Sequence, residues 1–220
     1  MQLDLGLINV QENKYEQAYK IIKQNIINNT FRPNMMLVER RLSEALNISR
    51  TPIRQVLQQL ANEGFVEYVA NKGMFVTGFN VLDALEIYTI REALDPLMLE
   101  GCYINNYDIV LKKLGDALNL QIYSLNKKDP REYVWSDLEF HNVYINYCSY
   151  KRLQSFMLSM LEHVKRFAYM QDDPERAELS KEQHKAIFEA YKQKDIEEAK
   201  KLLKGHMSSV KQYFLDKLGK

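Results

Sequence analysis

The sequence predicts a mainly α-helical protein in two parts: three short helices with one β-hairpin, then an all-helical bundle of about six helices. Three observations carry this. Glycine and proline are scarce, eight and five in 220 residues, and apolar residues recur at helical spacing along most of the chain. Only residues 65–79, FVEYVANKGMFVTGF, read as strands: Phe65, Val66, Tyr68 and Val69 are strand formers and ANKG is turn-like. Near residues 79–80 the pattern changes from hairpin to long helices, which sets an N-terminal domain, 1–79, apart from a C-terminal domain, 80–220.

The first three helices are expected near 11–29, 38–46 and 49–63. In the third, Ile53, Val56, Leu57 and Leu60 recur at i, i+3, i+4, i+7 and form a buried stripe. Leu42, Ala45 and Leu46 pack on it from the second helix, and Ile48 fills the turn between them. Ser49 suits the N-cap, and Pro52 falls in the first turn, where its missing N–H costs little. Gly64 stands where the helix should stop. After the hairpin, helices are expected near 80–105, 107–127, 130–147, 150–171, 176–193 and 196–217. DPRE at 129–132 offers Asp129 as an N-cap ahead of Pro130 and Glu132, DPER at 173–176 repeats the Asp-Pro start, and DIEE at 195–198 is a capping-box pattern.

Composition narrows the class. Apolar residues make up 46% and charged ones 27%, ordinary for a soluble globular protein. No apolar run reaches the roughly 18–20 residues of a membrane span, and MQLDLGLINV lacks the basic start of a secretory signal. Cys102 and Cys148 are too few for a disulfide scaffold, so a reducing cytoplasm is expected. Residues 1–79 hold nine Lys and Arg against seven Asp and Glu, and the rest 21 against 22. Bulk charge therefore announces no nucleic-acid binder, and such a reading must rest on local placement.

Three short helices and a hairpin make a winged helix-turn-helix. Arg50, Thr51, Arg54, Gln55 and Gln58 lie off the buried stripe of its third helix, and no acid falls between Ser49 and Gln59. A polar face with forked donors at its N-terminal end suits the major groove, where Arg clamps a phosphate or gives two hydrogen bonds to guanine. An isolated RxxxR is ordinarily a solvated face; the turn and wing around this one favour DNA.

The stretch LVERRLSEALNISRTPIRQVLQQLANEGFVEYVANKGMFV resembles the DNA-binding domain of the GntR family of bacterial transcription regulators, over roughly residues 11–78. SRTPIR, LANEGFVE and NKGMFV match closely. The resemblance implies that Arg40, Ser49, Arg50, Thr51 and Arg54 contact operator DNA, with Lys72 and Gly73 of the wing reaching the neighbouring minor groove. One departure is RPNMML, where the family has Pro-Gly; Asn34 is able to take the same left-handed turn.

The C-terminal domain holds a second pattern. Asp137 and His141 are i and i+4 on one helix face. His184 and His206 lie 22 apart, with KQKD at 192–195 almost midway. If the flanking helices fold back as a hairpin, each His is about 16 Å from the hinge and the rings are level. One carboxylate and three imidazoles then converge from three helices, a set suited to Zn, Ni, Fe or Mn. Each His alone is ordinarily a hydrogen-bonded core or surface residue, and His163 fits no such pattern.

IREALDPLMLEG, DLEFHNVYIN and HKAIFEAYKQKDIEEAKKLLKGH resemble the FCD effector-binding domain of the FadR subfamily of GntR regulators. That resemblance implies a divalent metal on Asp137, His141, His184 and His206, and a small organic acid as effector. Arg91 occupies the recurrent Arg of the first FCD helix, with Asp95 where Glu is usual; it pairs either with an effector carboxylate or with Asp95 as a surface i,i+4 pair. Arg166 and Tyr169 are weaker candidates. The expected function is a homodimeric, ligand-responsive repressor that reads palindromic double-stranded operator DNA, not an enzyme. The alternatives are a helical metalloenzyme with a DNA-binding appendage, for which Glu139 lies on the wrong helix side as a base, or a direct metal sensor.

Overall fold

The computed structural model describes residues 14–78, 80–127, 130–168 and 173–218. The chain divides into two compact units that part between residues 78 and 79.

The first unit runs α1 (Lys14–Ile27), α2 (Glu39–Leu46), α3 (Arg50–Asn62), β1 (Val66–Val69) and β2 (Gly73–Val76). Its core joins the α3 stripe of Ile53, Val56, Leu57 and Leu60 to Ile22 and Ile26 of α1 and to Phe65 and Val76 of the hairpin. Leu42, Leu46 and Ile48 pack against it half-buried. The α2–α3 turn is made by Asn47 in the left-handed region, φ 50°, which Asn tolerates better than most residues. Ser49 takes the extended N-cap backbone, but its side chain makes no capping hydrogen bond. Gly64, at φ 78°, ends α3: its N–H reaches the Ala61 carbonyl and that of Phe65 the Leu60 carbonyl.

The strands pair antiparallel, Val66 opposite Val76 and Val69 opposite Gly73. Sequence reading missed a third participant. Met36 bridges to Phe75, with Leu37 N–H donating to the Met74 carbonyl at 2.8 Å and Val76 N–H to that of Met35 at 2.9 Å. Asn34 turns the chain into this edge at φ 64°.

The second unit comprises α4 (Val81–Lys127), α5 (Pro130–Tyr147), α6 (Lys151–Ala168), α7 (Pro174–Lys192) and α8 (Ile196–Leu218). The break expected between residues 105 and 107 is a single non-helical residue, Asn106 (φ −133°, ψ 22°), so α4 is two helices end to end. Its side-chain amide donates to the Tyr147 carbonyl at 2.7 Å and pins the break to the end of α5. Asp173 and Asp195 cap α7 and α8 by accepting the N–H groups of Arg176 and Glu198; the cap expected at Asp129 lies outside the described residues. The core is built from Leu99, Cys102, Leu114, Phe140, Tyr144 and Tyr191 with their neighbours on α4, α5, α7 and α8. Among the described residues no helix is long and apolar enough to cross a membrane.

Among the glycines described in this unit, Gly101 has the closest neighbours. A Cβ there would lie 2.7 Å from Cys148 Sγ and 2.9 Å from the Tyr150 ring. Gly101→Ala is therefore expected to cost about 1–3 kcal/mol by overpacking, read as a lower thermal midpoint, and Cys148→Ala in the same chain should restore part of it. An unchanged midpoint in the single variant would show that the contact gives way freely.

Candidate metal centre

Three helices supply the centre. Asp137 and His141 sit one turn apart on α5, and α7 and α8 fold back through residues 193–195 to bring His184 level with His206. The ring centroids are 4.5 Å apart for His184–His206, 4.8 Å for His141–His184 and 5.2 Å for His141–His206. All three imidazoles are buried, and each offers a nitrogen within 4.8 Å of the others. Asp137 stands beside them, Oδ2 at 4.0 Å from His141 Nε2 and Oδ1 at 3.9 Å from His184 Nδ1. Phe140 stacks flat on His184 at 4.1 Å and closes that side.

The hydrogen bonds around the rings fix what they present to one another. Tyr144 Oη donates to Asp95 Oδ2 at 2.6 Å, so it must accept from His141 Nδ1 at 2.7 Å. Gln121 Nε2 donates to Asp137 Oδ1 at 3.0 Å, which turns its carbonyl oxygen toward His184 Nδ1, also at 3.0 Å. Gln183 Oε1 lies 2.8 Å from His206 Nδ1. Each Nδ1 therefore carries the proton, and each Nε2 keeps a lone pair. Yet His184 Nε2 and His206 Nε2 face each other at 3.1 Å. Two lone pairs at that distance repel, and a shared cation turns repulsion into ligation. The donor set fits a divalent transition metal on the three Nε2 atoms with Asp137 alongside, each ring held from behind by a hydrogen-bond partner.

Protonation is suppressed here. Burial lowers the His184 pKa to about 3, with the charges of Arg91 and Arg176 acting the same way. His141 and His206 are also held well below 6.5, by burial first and then by neighbouring cations and imidazoles. Asp137 is pushed up to about 6 by burial, against the pull of Arg91 and Arg176, although 26% of its side chain stays accessible. In the unfolded chain each His takes a proton near pH 6.5, so this contribution to stability is full above that pH and lost below it. Asp137 works in reverse, since its folded pKa is the higher one. With three imidazoles against one carboxylate, the metal-free protein should lose about 2–4 kcal/mol of stability between pH 7 and 5. Urea unfolding at each pH checks this, and a flat profile would mean that the imidazoles are hydrated.

Residues 86–209 match the FCD domain and residues 14–76 match the bacterial regulatory proteins of the gntR family. The chain belongs to the GntR family. It is 28% identical over 203 residues to the HTH-type transcriptional regulator YdhC of Bacillus subtilis, covering 88% of each chain. It is 22% identical to the HTH-type transcriptional repressor RspR of Escherichia coli, covering 89% of this chain and 86% of that one. The fold matches a crystal structure of a GntR regulator from Rhodococcus sp. RHA1 with a TM-score of 0.78 at 23% identity, covering 92% and 98% of the two chains.

In this GntR-family chain Arg40, Ser49, Arg50, Thr51, Arg54 and Lys72 are all exposed, and Gly73 sits half-buried in the wing turn at φ 106°. Two of the arginines have partners. Arg40 pairs with Glu44 at 3.1 Å, and Arg54 grips Glu39 with both fork nitrogens at 3.0 Å. Arg91 meets the i,i+4 partner expected of it. It pairs with Asp95, but the pair is buried, 1% and 0% exposed, rather than on the surface. Arg166 is buried on α6, and Tyr169 lies outside the described residues. Gln121 and Gln183 were not foreseen, because they meet their histidines from other helices and no spacing along the chain announces such contacts; Tyr144 lies i,i+3 from His141 on α5, but its role depends on Asp95 of α4.

Proposed function

We propose that this GntR-family transcriptional regulator is a homodimeric, cytoplasmic repressor of the FadR subfamily. Its helical domain holds a divalent transition metal (Zn, Ni, Fe or Mn) on Asp137, His141, His184 and His206. It releases operator DNA when a small organic acid binds there. The observation that carries the reading is the facing pair of Nε2 lone pairs, with all three Nδ1 protons tied to partners behind the rings. A bound metal leaves coordination positions open, and a carboxylate is a ligand suited to complete them. RspR bears the name of a repressor, which supports the direction of control.

A thermal-shift screen of metal-loaded and chelator-stripped protein against small carboxylates tests this. A ligand at a hundredfold excess over its Kd adds about 2.7 kcal/mol. Shifts confined to the metal-loaded form support the reading. Shifts indifferent to metal would separate effector from metal, and release of DNA by metal alone would make the metal the signal.

For the DNA-binding unit, Arg54→Ala is expected to weaken operator binding about tenfold or more without unfolding the protein. Its ion pair with Glu39 is exposed and adds little to folding. Anisotropy titration of a selected operator duplex at moderate salt checks it, and unchanged affinity would remove α3 from the groove.

A further inference from the structure

Two guanidinium groups act on the three-imidazole centre, and they differ in what they hold. Arg91 is spoken for: Nε and Nη2 both bind Asp95 Oδ2, at 3.2 and 2.8 Å. Arg176, on the first turn of α7, donates from Nη1 to Ser209 Oγ at 2.9 Å, while its Nη2 is sealed from water with no hydrogen-bond partner among the described residues. A buried guanidinium donor without an acceptor is costly, so this position calls for an acceptor that the described residues do not supply. The residue as a whole remains partly accessible.

Its placement is tied to the centre from both sides. Arg176, Ser180 and His184 recur at i, i+4, i+8 on α7, as Tyr133, Asp137 and His141 do on α5. Tyr133 Oη donates to the Ala177 carbonyl at 2.9 Å, which joins the start of α7 to the helix that carries Asp137. Ser209 is three residues beyond His206. Because α7 and α8 run antiparallel with His184 level with His206, Ser209 is level with residue 181. The Arg176 side chain thus reaches back toward the centre, to within about one helical turn, or ~5 Å along the axis. Its charge acts on Asp137, His184 and His206.

We infer that Arg176 anchors a second anionic group of the effector, which is therefore a short dicarboxylate: one carboxylate lies at the histidine centre and the other on Nη2 of Arg176. This rests on the reading of an acid effector at that centre. The ~5 Å offset matches a diacid of four or five carbons.

Titration calorimetry of the metal-loaded full chain tests it, with succinate and glutarate set against butyrate and valerate. The diacids should bind about tenfold or more tighter than the monoacids of equal length. Arg176→Gln should bring the diacids down to the affinity of the monoacids of equal length, a loss severalfold larger than any change it causes in monoacid binding. If monoacids bind as well as diacids, or Arg176→Gln changes nothing, the anchor is wrong while the acid reading stands. If no acid binds the unmodified protein, the effector class fails and the anchor with it. Should Arg176→Gln not fold, Ser209→Ala frees Nη1 while keeping the guanidinium. It should weaken diacids selectively by a few-fold, and equal binding in that variant would overturn the proposal.

Discussion

Asp95→Ala is expected to destabilise the helical unit by about 3–5 kcal/mol, the cost of leaving one member of a buried ion pair alone. Arg91 is 1% exposed, so its charge is left buried without its carboxylate. Burial already disfavours the Arg91 charge, and it is Asp95, with Tyr144 and Tyr88, that holds it in place. The loss should be far smaller in Arg91→Met/Asp95→Leu, because two apolar chains of similar bulk leave no orphan charge. Denaturant unfolding of the single and double variants decides the matter. Equal losses in both would mean that shape, not charge, is what the pair provides.

The same substitution reaches the imidazoles. Tyr144 now donates to Asp95 and accepts from His141 Nδ1. Without Asp95 its hydroxyl turns to donate to Nδ1, which moves the His141 proton to Nε2 and removes a lone pair from the centre. Asp95→Ala should therefore lower metal affinity about 10–100-fold, the usual effect of removing a partner behind a metal ligand, though Asp95 touches none of the candidate ligands other than through Tyr144.

Much of this was legible along the chain, and the reason is local. The α3 stripe, the break at Asn106, the caps at Asp173 and Asp195 and the level placement of His184 and His206 all depend on spacing within one element or across one short turn. Spacing of that kind is written directly in the sequence. What was not legible depends on contacts between distant elements. The edge at Met36 exists only because β2 passes beside it, and Gln121 meets His184 across 63 positions. Arg91 and Asp95 illustrate both sides. Their i,i+4 spacing predicted the pair, but not that it is buried, where Tyr144, 49 residues away, donates to Asp95. Arg176 carried no sequence signal at all: a partly buried Arg on a first turn has the appearance of a helix-start charge, and only its unpaired Nη2 distinguishes it.

His184→Ala should abolish retained metal, from about one ion per chain to near none after dialysis, while operator binding by the N-terminal unit stays largely intact. The effect is expected to be greater at this histidine than at His206, because His184 contacts every other part of the centre. Its ring lies against Phe140, its Nδ1 holds Gln121 in the orientation that serves Asp137, and its Nε2 faces His206. Removing it frees the Gln121 amide to turn, so Asp137 loses a donor as well as a fellow ligand. Truncation of a buried ring would ordinarily cost stability in its own right. In the metal-free protein that cost is partly offset, since the opposed lone pairs at 3.1 Å disappear with the ring. The discriminating number is therefore the difference in thermal midpoint with and without chelator. It should be large in the unmodified protein and close to zero in the variant, because only a ligand that binds the folded state raises stability. If His184→Ala keeps both the metal and the chelator-sensitive shift, the cation is held elsewhere, and the facing imidazoles are a packing arrangement rather than a coordination site.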